Sequence, residues 1–209
     1  MVDKTSFDNY AQEYDDWYEK NRFIYESELQ AIKELMPSSG NGVEVGVGSG
    51  RFAGPLNIKL GVEPSREIAK IAKKRGIEII EGVAESLPFH DSEFDFVLMV
   101  TTICFLEDIE KALQEVYRVL KSGGSLIIGF IDVASSLGKF YEAHKKGSRF
   151  YKYAKFYSAH EVISYMENAN LKDLQFRQTI FHPLKKLKCT DPVKEGHGEG
   201  SFVVVKGFK

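Results

Sequence analysis

Apolar positions in this chain change their period several times, and each change marks an element. Over residues 7–36 the spacing is helical: Tyr10, Tyr14, Trp17 and Tyr18 recur together, as do Leu29, Ile32, Leu35 and Met36, with an interruption near Asn21. The run Pro37-Ser38-Ser39-Gly40-Asn41-Gly42 then breaks the chain. Beyond it, short apolar runs alternate with helical stretches. Strands are predicted over 43–47, 60–63, 77–81, 94–100 and 125–131, and the fourth is apolar almost throughout, as a strand buried on both faces is. A helical segment is predicted to follow the first strand as far as about Asn57. Two more are predicted over 66–75, closed by Gly76, and over 109–120, stopped by Lys121-Ser122-Gly123-Gly124. Residues 132–157 are less regular. Ser158-Ala159-His160-Glu161 is a capping-box pattern that opens a helix through Asn168. Two final strands, 171–180 and 201–208, flank a polar, Gly-rich loop at 191–200 with no helix between them, which favours an antiparallel hairpin.

Strand–helix alternation on this spacing implies right-handed crossovers and a parallel sheet. The expected fold is therefore α/β: a seven-stranded, mostly parallel sheet flanked by helices, its last two strands an antiparallel hairpin. One domain is expected over 1–209, with a helical cap at 7–36 and a lid-like insertion at 133–157. A length of 209 residues, 43% of them hydrophobic, suffices for such a core. The formal net charge of -2 gives no pull toward nucleic acid or an anionic membrane, and the short basic run Lys185, Lys186 and Lys188 reads as a solvated surface. Cys104 and Cys189 lie too far apart for a zinc motif or a disulfide framework, so no metal is expected. The first six residues lack the apolar core of a signal peptide and no run approaches a membrane span, which places the protein in the cytoplasm as a monomer or weak homodimer.

Candidate chemistry begins where the first strand ends. In Glu44-Val45-Gly46-Val47-Gly48-Ser49-Gly50, glycines permit tight turning and close approach of backbone to a ligand. A dinucleotide fingerprint needs a small residue at position 51, where this chain has Arg51, expected to crowd helix–strand packing. A phosphate loop needs a lysine that is absent. Glu63 ends the second strand, 17 residues after Gly46, where a carboxylate can accept hydrogen bonds from ribose hydroxyls.

With Glu81-Gly82-Val83-Ala84-Glu85-Ser86-Leu87-Pro88-Phe89 after the third strand, the chain resembles the class I, Rossmann-like methyltransferases that use S-adenosylmethionine, especially the broad (type 11-like) group acting on small molecules. The resemblance continues through Phe94-Asp95-Phe96-Val97-Leu98-Met99-Val100, through Leu113 to Leu126 with its glycine turn, and through Tyr10-Ala11-Gln12-Glu13-Tyr14-Asp15. It covers residues 7–131 well and the remainder loosely. It implies S-adenosyl-L-methionine as cofactor, with Glu63 reading the ribose and Glu85, beside the Ala84 backbone, meeting the adenine amine. By the same resemblance Glu44, Gly46, Gly48, Gly50, Pro64, Val100, Thr101 and Tyr14 complete the cofactor site.

Methyl transfer is in-line displacement at an already activated carbon, so positioning and exclusion of water are the main demands. No catalytic group is therefore obvious; His144 is a weak candidate for a proton acceptor. The family often carries a histidine after the fourth strand, and here Thr101-Thr102-Ile103-Cys104-Phe105-Leu106 takes its place. Tyr18, Cys104, Tyr141, His144 and Tyr153 are the candidates for the acceptor pocket, with Phe140, Phe150, Phe156 and Tyr157 adding aromatic surface. The expected reaction is methyl transfer to a small acceptor through nitrogen or oxygen, such as a small amine, with no nucleic-acid or membrane partner. An NAD-dependent oxidoreductase and a non-catalytic cofactor-binding module are the alternatives.

Overall fold

The computed structural model describes residues 5–184 and 187–209, so Lys185, Lys186 and residues 1–4 lie outside the described residues. Three N-terminal helices come first: α1 (Thr5–Asn9), α2 (Ala11–Lys20) and α3 (Arg22–Lys33). They are followed by β1 (Gly42–Val45), β2 (Leu60–Val62), α4 (Arg66–Lys74), β3 (Glu78–Ile80), β4 (Phe94–Val100), α5 (Ile109–Val119) and β5 (Leu120–Ile131). The chain closes with α6 (Ser136–His144), α7 (Ala159–Asn168), β6 (Lys172–Thr179), β7 (Lys194–Glu195) and β8 (Phe202–Phe208).

Among the described residues, eight strands form one sheet in the order β3-β2-β1-β4-β5-β8-β6-β7. From β1 through β5 every pairing is parallel, while β8 runs antiparallel to both β5 and β6. The α/β class, the flanking helices and the antiparallel closing pair agree with expectation. The eighth strand is β7, two residues of the 191–200 loop that pair with Arg177 and Gln178 at the sheet edge.

Central β4 explains the two-sided core. Its side chains alternate between two apolar layers, one containing Val97 and Met99 and the other Phe96, Leu98 and Val100. The first layer is filled from α5 and α7 by Leu113, Val116, Val162 and Met166. The second is filled from α3 by Ala31 and Ile32, with Phe52 and Ala53 from the loop after β1. Burying both faces is what requires the near-continuous apolar run.

Two expectations fail locally. The helix expected up to Asn57 is a series of turns, because Gly54-Pro55 interrupts it: Pro55 offers no N–H and disfavours helical backbone in the residue before it. The fifth strand starts at Leu120 rather than after the glycines. Its register against β4 shifts between Phe94 and Phe96, and Gly123, at φ +78°, absorbs the irregularity. Elsewhere local chemistry prevails: Ser158 and Glu161 form the expected capping box, and Asn170 turns left-handed at φ +63°. No helix among the described residues is long and apolar enough to cross a membrane.

Candidate functional site

The sheet grows from β1 toward β3 and then returns to place β4 on the other side of β1. This reversal opens a crevice at the carboxyl ends of the strands, the place where such sheets bind ligands. Its floor is the bend after β1. Gly46 sits at φ +72°, and a Cβ there would stand 2.4 Å from Thr102, so only glycine fits. Gly48 donates its N–H to Glu63 Oε2 at 2.9 Å, and Ser65 N–H reaches Oε1 at 2.9 Å. These two amides fix the carboxyl at the tip of β2. Burial nevertheless outweighs them and pushes it up to about 7.

Gly46, Gly48, Glu63, Pro64, Ala84, Glu85, Val100, Thr101 and Tyr14 all line this one cleft. Two expected members do not. Glu44 points from β1 into the opposite layer, where its carboxyl is buried, accepts from Ala53 and is held well above the usual carboxylate range by loss of water. Gly50 makes room for packing: a Cβ there would stand 2.4 Å from Ile77. Glu85 reaches the cleft while its Oε1 accepts from the N–H groups of Glu107, at 2.9 Å, and Asp108. It thus ties the loop after β3 to the start of α5. Sequence reasoning missed Phe7, Val83, Phe105 and Leu106 on the apolar walls, because nothing in their spacing marks them.

Arg51 does not crowd the strand. It turns outward to α2, where its guanidinium contacts Asp15 Oδ1 and Oδ2 at 2.8 Å each and Glu19 at 2.5 Å. Arg75 adds a second cation to Asp15 at 2.8 Å. Burial would raise the Asp15 carboxyl, but hydrogen bonds from Arg75 and Arg51 win and hold it at about 2. This cluster pins α2 over the glycine bend.

On the far side of α2 lies a second, larger cavity of about 670 Å³, within the roughly 300–1,000 Å³ of small-molecule sites. Tyr18, Tyr141 and His144 line it as expected, joined by Trp17, Phe150 and Tyr151. Tyr14 and Thr101 line both spaces, so the two compartments meet there. Tyr14 Oη lies 2.9 Å from Tyr18 Oη, and its ring packs edge-on against Phe7 and Phe150. Thr101 adopts φ +51°, rare for a threonine and most often found where function constrains the backbone. Neither feature is visible in a sequence.

The remaining acceptor candidates divide. Tyr153 is 66% exposed and stacks its ring under Lys152, outside the cavity. Cys104 lies beneath the cavity beside Phe130 and Tyr157, its thiol donating to Thr101 O and pushed up to about 12 by burial. His144 stands on the exposed rim, stacked on Phe140 with Nδ1 2.8 Å from that residue's carbonyl. The largest omission is Glu28, a buried carboxyl from α3 that faces the cavity.

Sheet order, switch-point cleft and glycine bend define a class I methyltransferase fold. The family model described as a methyltransferase domain matches residues 43–128. The uncharacterized protein MJ1123 of Methanocaldococcus jannaschii is 51% identical over 97% of this chain and 98% of its own. The crystal structure of a Thermotoga maritima SAM-dependent methyltransferase, named a possible histamine N-methyltransferase, is 51% identical and superposes over 99% of each chain with a TM-score of 0.96. Phosphoethanolamine N-methyltransferase 2 of Haemonchus contortus, solved with phosphomonomethylethanolamine and S-adenosylhomocysteine, shares the fold at 15% identity and a TM-score of 0.61, over 88% of this chain and 52% of its own. The chain belongs to the S-adenosylmethionine-dependent methyltransferases of class I.

Proposed function

We propose that this methyltransferase delivers its methyl group to a small organic acceptor, through nitrogen or oxygen, held in the aromatic cavity. The observation that carries the reading is the meeting of two differently built spaces at Tyr14 and Thr101. S-adenosylmethionine supplies a methyl group on a sulfur whose positive charge already activates it. Glu63, oriented by the amides of Gly48 and Ser65, takes the ribose hydroxyls. Ile68, Val83 and Leu106 offer the apolar walls that suit a base, with Glu85 at its edge. Gly46 and Thr101 bound the methionine end.

The chain's own contribution to the transfer is geometric. The rings of Tyr14, Tyr18 and Tyr151 exclude water and fix the approach of the nucleophile. The helices of the 7–36 cap and the 133–157 lid, folded onto a single methyltransferase domain, supply those rings. An acceptor of modest size is further supported by the name of the Thermotoga protein, in which a small amine is the suggested substrate.

Methyl-labelled cofactor incubated with panels of small amines and phenols tests the reading. Label in at least one such product, and S-adenosylhomocysteine binding weakened in Glu63→Ala by roughly 1–3 kcal/mol, are expected. Transfer only to protein or nucleic acid would refute it.

A further inference from the structure

Of the charged side chains that line the acceptor cavity, Glu13, Lys20, Glu28, His144, Lys145 and Arg149, Glu28 alone is buried. Glu28 stands on α3 and is only 5% exposed, and what exposure it has opens onto the cavity. Among the described residues its carboxyl makes no hydrogen bond. Most other buried acids among the described residues are served, Glu63 by two backbone amides, Asp15 by two arginines and Asp191 by the amides of Phe181 and His182, while Glu44 accepts from Ala53 and leaves Oε2 without a partner away from the cavity. Removal from water with nothing in exchange pushes Glu28 up to about 8. Three phenols surround it from different elements, Tyr18 on α2, Tyr141 on α6 and Tyr151 beyond it, and the charge of Glu28 contributes to the raised value of each.

A buried acid without a donor, set among aromatic rings in a cavity open to solvent, is a receptor lacking its cation. We propose that Glu28 is the recognition group for a cationic head on the methyl acceptor, an ammonium or a protonated nitrogen heterocycle, seated against its carboxylate between Tyr18, Tyr141 and Tyr151. This rests on the cavity being the acceptor site. An N–H of the head donates to the carboxylate, and the ring faces stabilise the charge. On binding, Glu28 gives its proton to solvent while the ligand keeps its own, so a neutral acid and a cation become an ion pair plus a released proton. Glu28 does not line the cofactor cleft, which among the described residues shares only Tyr14 and Thr101 with the cavity. It is therefore a positioning and specificity residue: it holds one end of the acceptor while a different atom meets the methyl group.

The test uses the intact protein saturated with S-adenosylhomocysteine and three probes of one shape: phenethylamine, 2-phenylethanol and phenylacetate. Calorimetry is expected to show the amine binding about tenfold or more tighter than the alcohol, with the acid weakest. In Glu28→Gln the amine's advantage is expected to vanish while alcohol and S-adenosylhomocysteine affinities hold, a pattern that a purely structural role would not give. If the variant does not fold, the discrimination by wild-type protein decides alone. Amine binding no tighter than alcohol binding, silence of all three probes included, overturns the proposal while leaving the cofactor reading intact. Failure of the wild type to bind S-adenosylhomocysteine brings down both.

Discussion

The cleft proposed for the cofactor and the cavity proposed for the acceptor lie side by side, yet different parts of the fold build them. The cleft is set by strand tips and turns, and its key side chain, Glu63, is oriented by two backbone amides of those turns. The cavity is lined from α2, α3, α6 and the segment after α6, with aromatic rings prominent among its walls. A backbone-built site tolerates few changes at its turns but accepts one invariant ligand. A side-chain site can be recut by single substitutions, which suits the part of a methyltransferase that chooses its acceptor.

The largest expected effect comes where the two regions are joined. Asp15 is 5% exposed and holds Arg51, from the loop after β1, and Arg75, after α4, against α2. Asp15→Ala would leave two guanidiniums partly desolvated without their partner. A loss of about 3–5 kcal/mol is expected in denaturant unfolding, together with weaker binding in both compartments. A change under about 1 kcal/mol would mean that α2 is held by its apolar face alone.

Next is a contrast in pH. Glu28 titrates near 4.5 when unfolded and about 8 when folded, and Glu63 likewise rises to about 7. Between these values the folded chain binds protons that the unfolded chain lacks, so these groups favour folding at low pH and lose that contribution as pH rises toward 8. Glu28→Gln cannot titrate. Relative to wild type it is expected to gain stability between pH 5 and 8, levelling at about 2–4 kcal/mol above that range. A wild-type minus variant difference that stays flat with pH would show that Glu28 is better solvated than its burial implies.

The cleft should be sensitive in another way. Gly46→Ala forces a side chain into left-handed backbone and against Thr102. A stability loss of about 1–3 kcal/mol and a matching drop in S-adenosylhomocysteine affinity are expected, with the cavity's ligand preferences unchanged. Altered acceptor preference with normal cofactor affinity would reverse the division drawn between the two sites.

The same division explains what could be read without coordinates. The cleft was legible because turn glycines and a strand-end carboxylate sit at fixed offsets from runs that alternate regularly. Neighbours in sequence diverge in space there: Glu44 lies off the cleft, against Ala53, and Gly50 serves packing against Ile77. The cavity was legible as aromatic density but not as a set of walls. Tyr153 and Tyr151 are two residues apart, yet one is exposed outside the cavity and the other is a half-buried part of its lining. Glu28 carries no local mark at all. It lies in an amphipathic helix, as many solvated glutamates do, and the packing of α2 and α6 around it makes it unusual. Positions set by backbone turns are encoded locally, whereas positions set by the meeting of distant side chains are not.

The smallest expected effect probes the seam itself. Tyr18 is 6% exposed, its ring packs edge-on against Trp17, Tyr25 and Phe52, and its hydroxyl meets that of Tyr14 at 2.9 Å. Tyr18→Phe keeps the ring and removes one hydrogen bond, which is expected to cost about 1 kcal/mol of stability. Phe7 and Phe150 still pack edge-on against the Tyr14 ring, so it should stay beside the cofactor cleft. The acceptor's KM is therefore expected to rise a few-fold while cofactor affinity stays within experimental error. If both constants move together, Tyr14 and Tyr18 act as one wall shared by the two ligands, and the separation between a backbone-built cleft and a side-chain cavity ends one ring further into the cavity than the lining residues indicate.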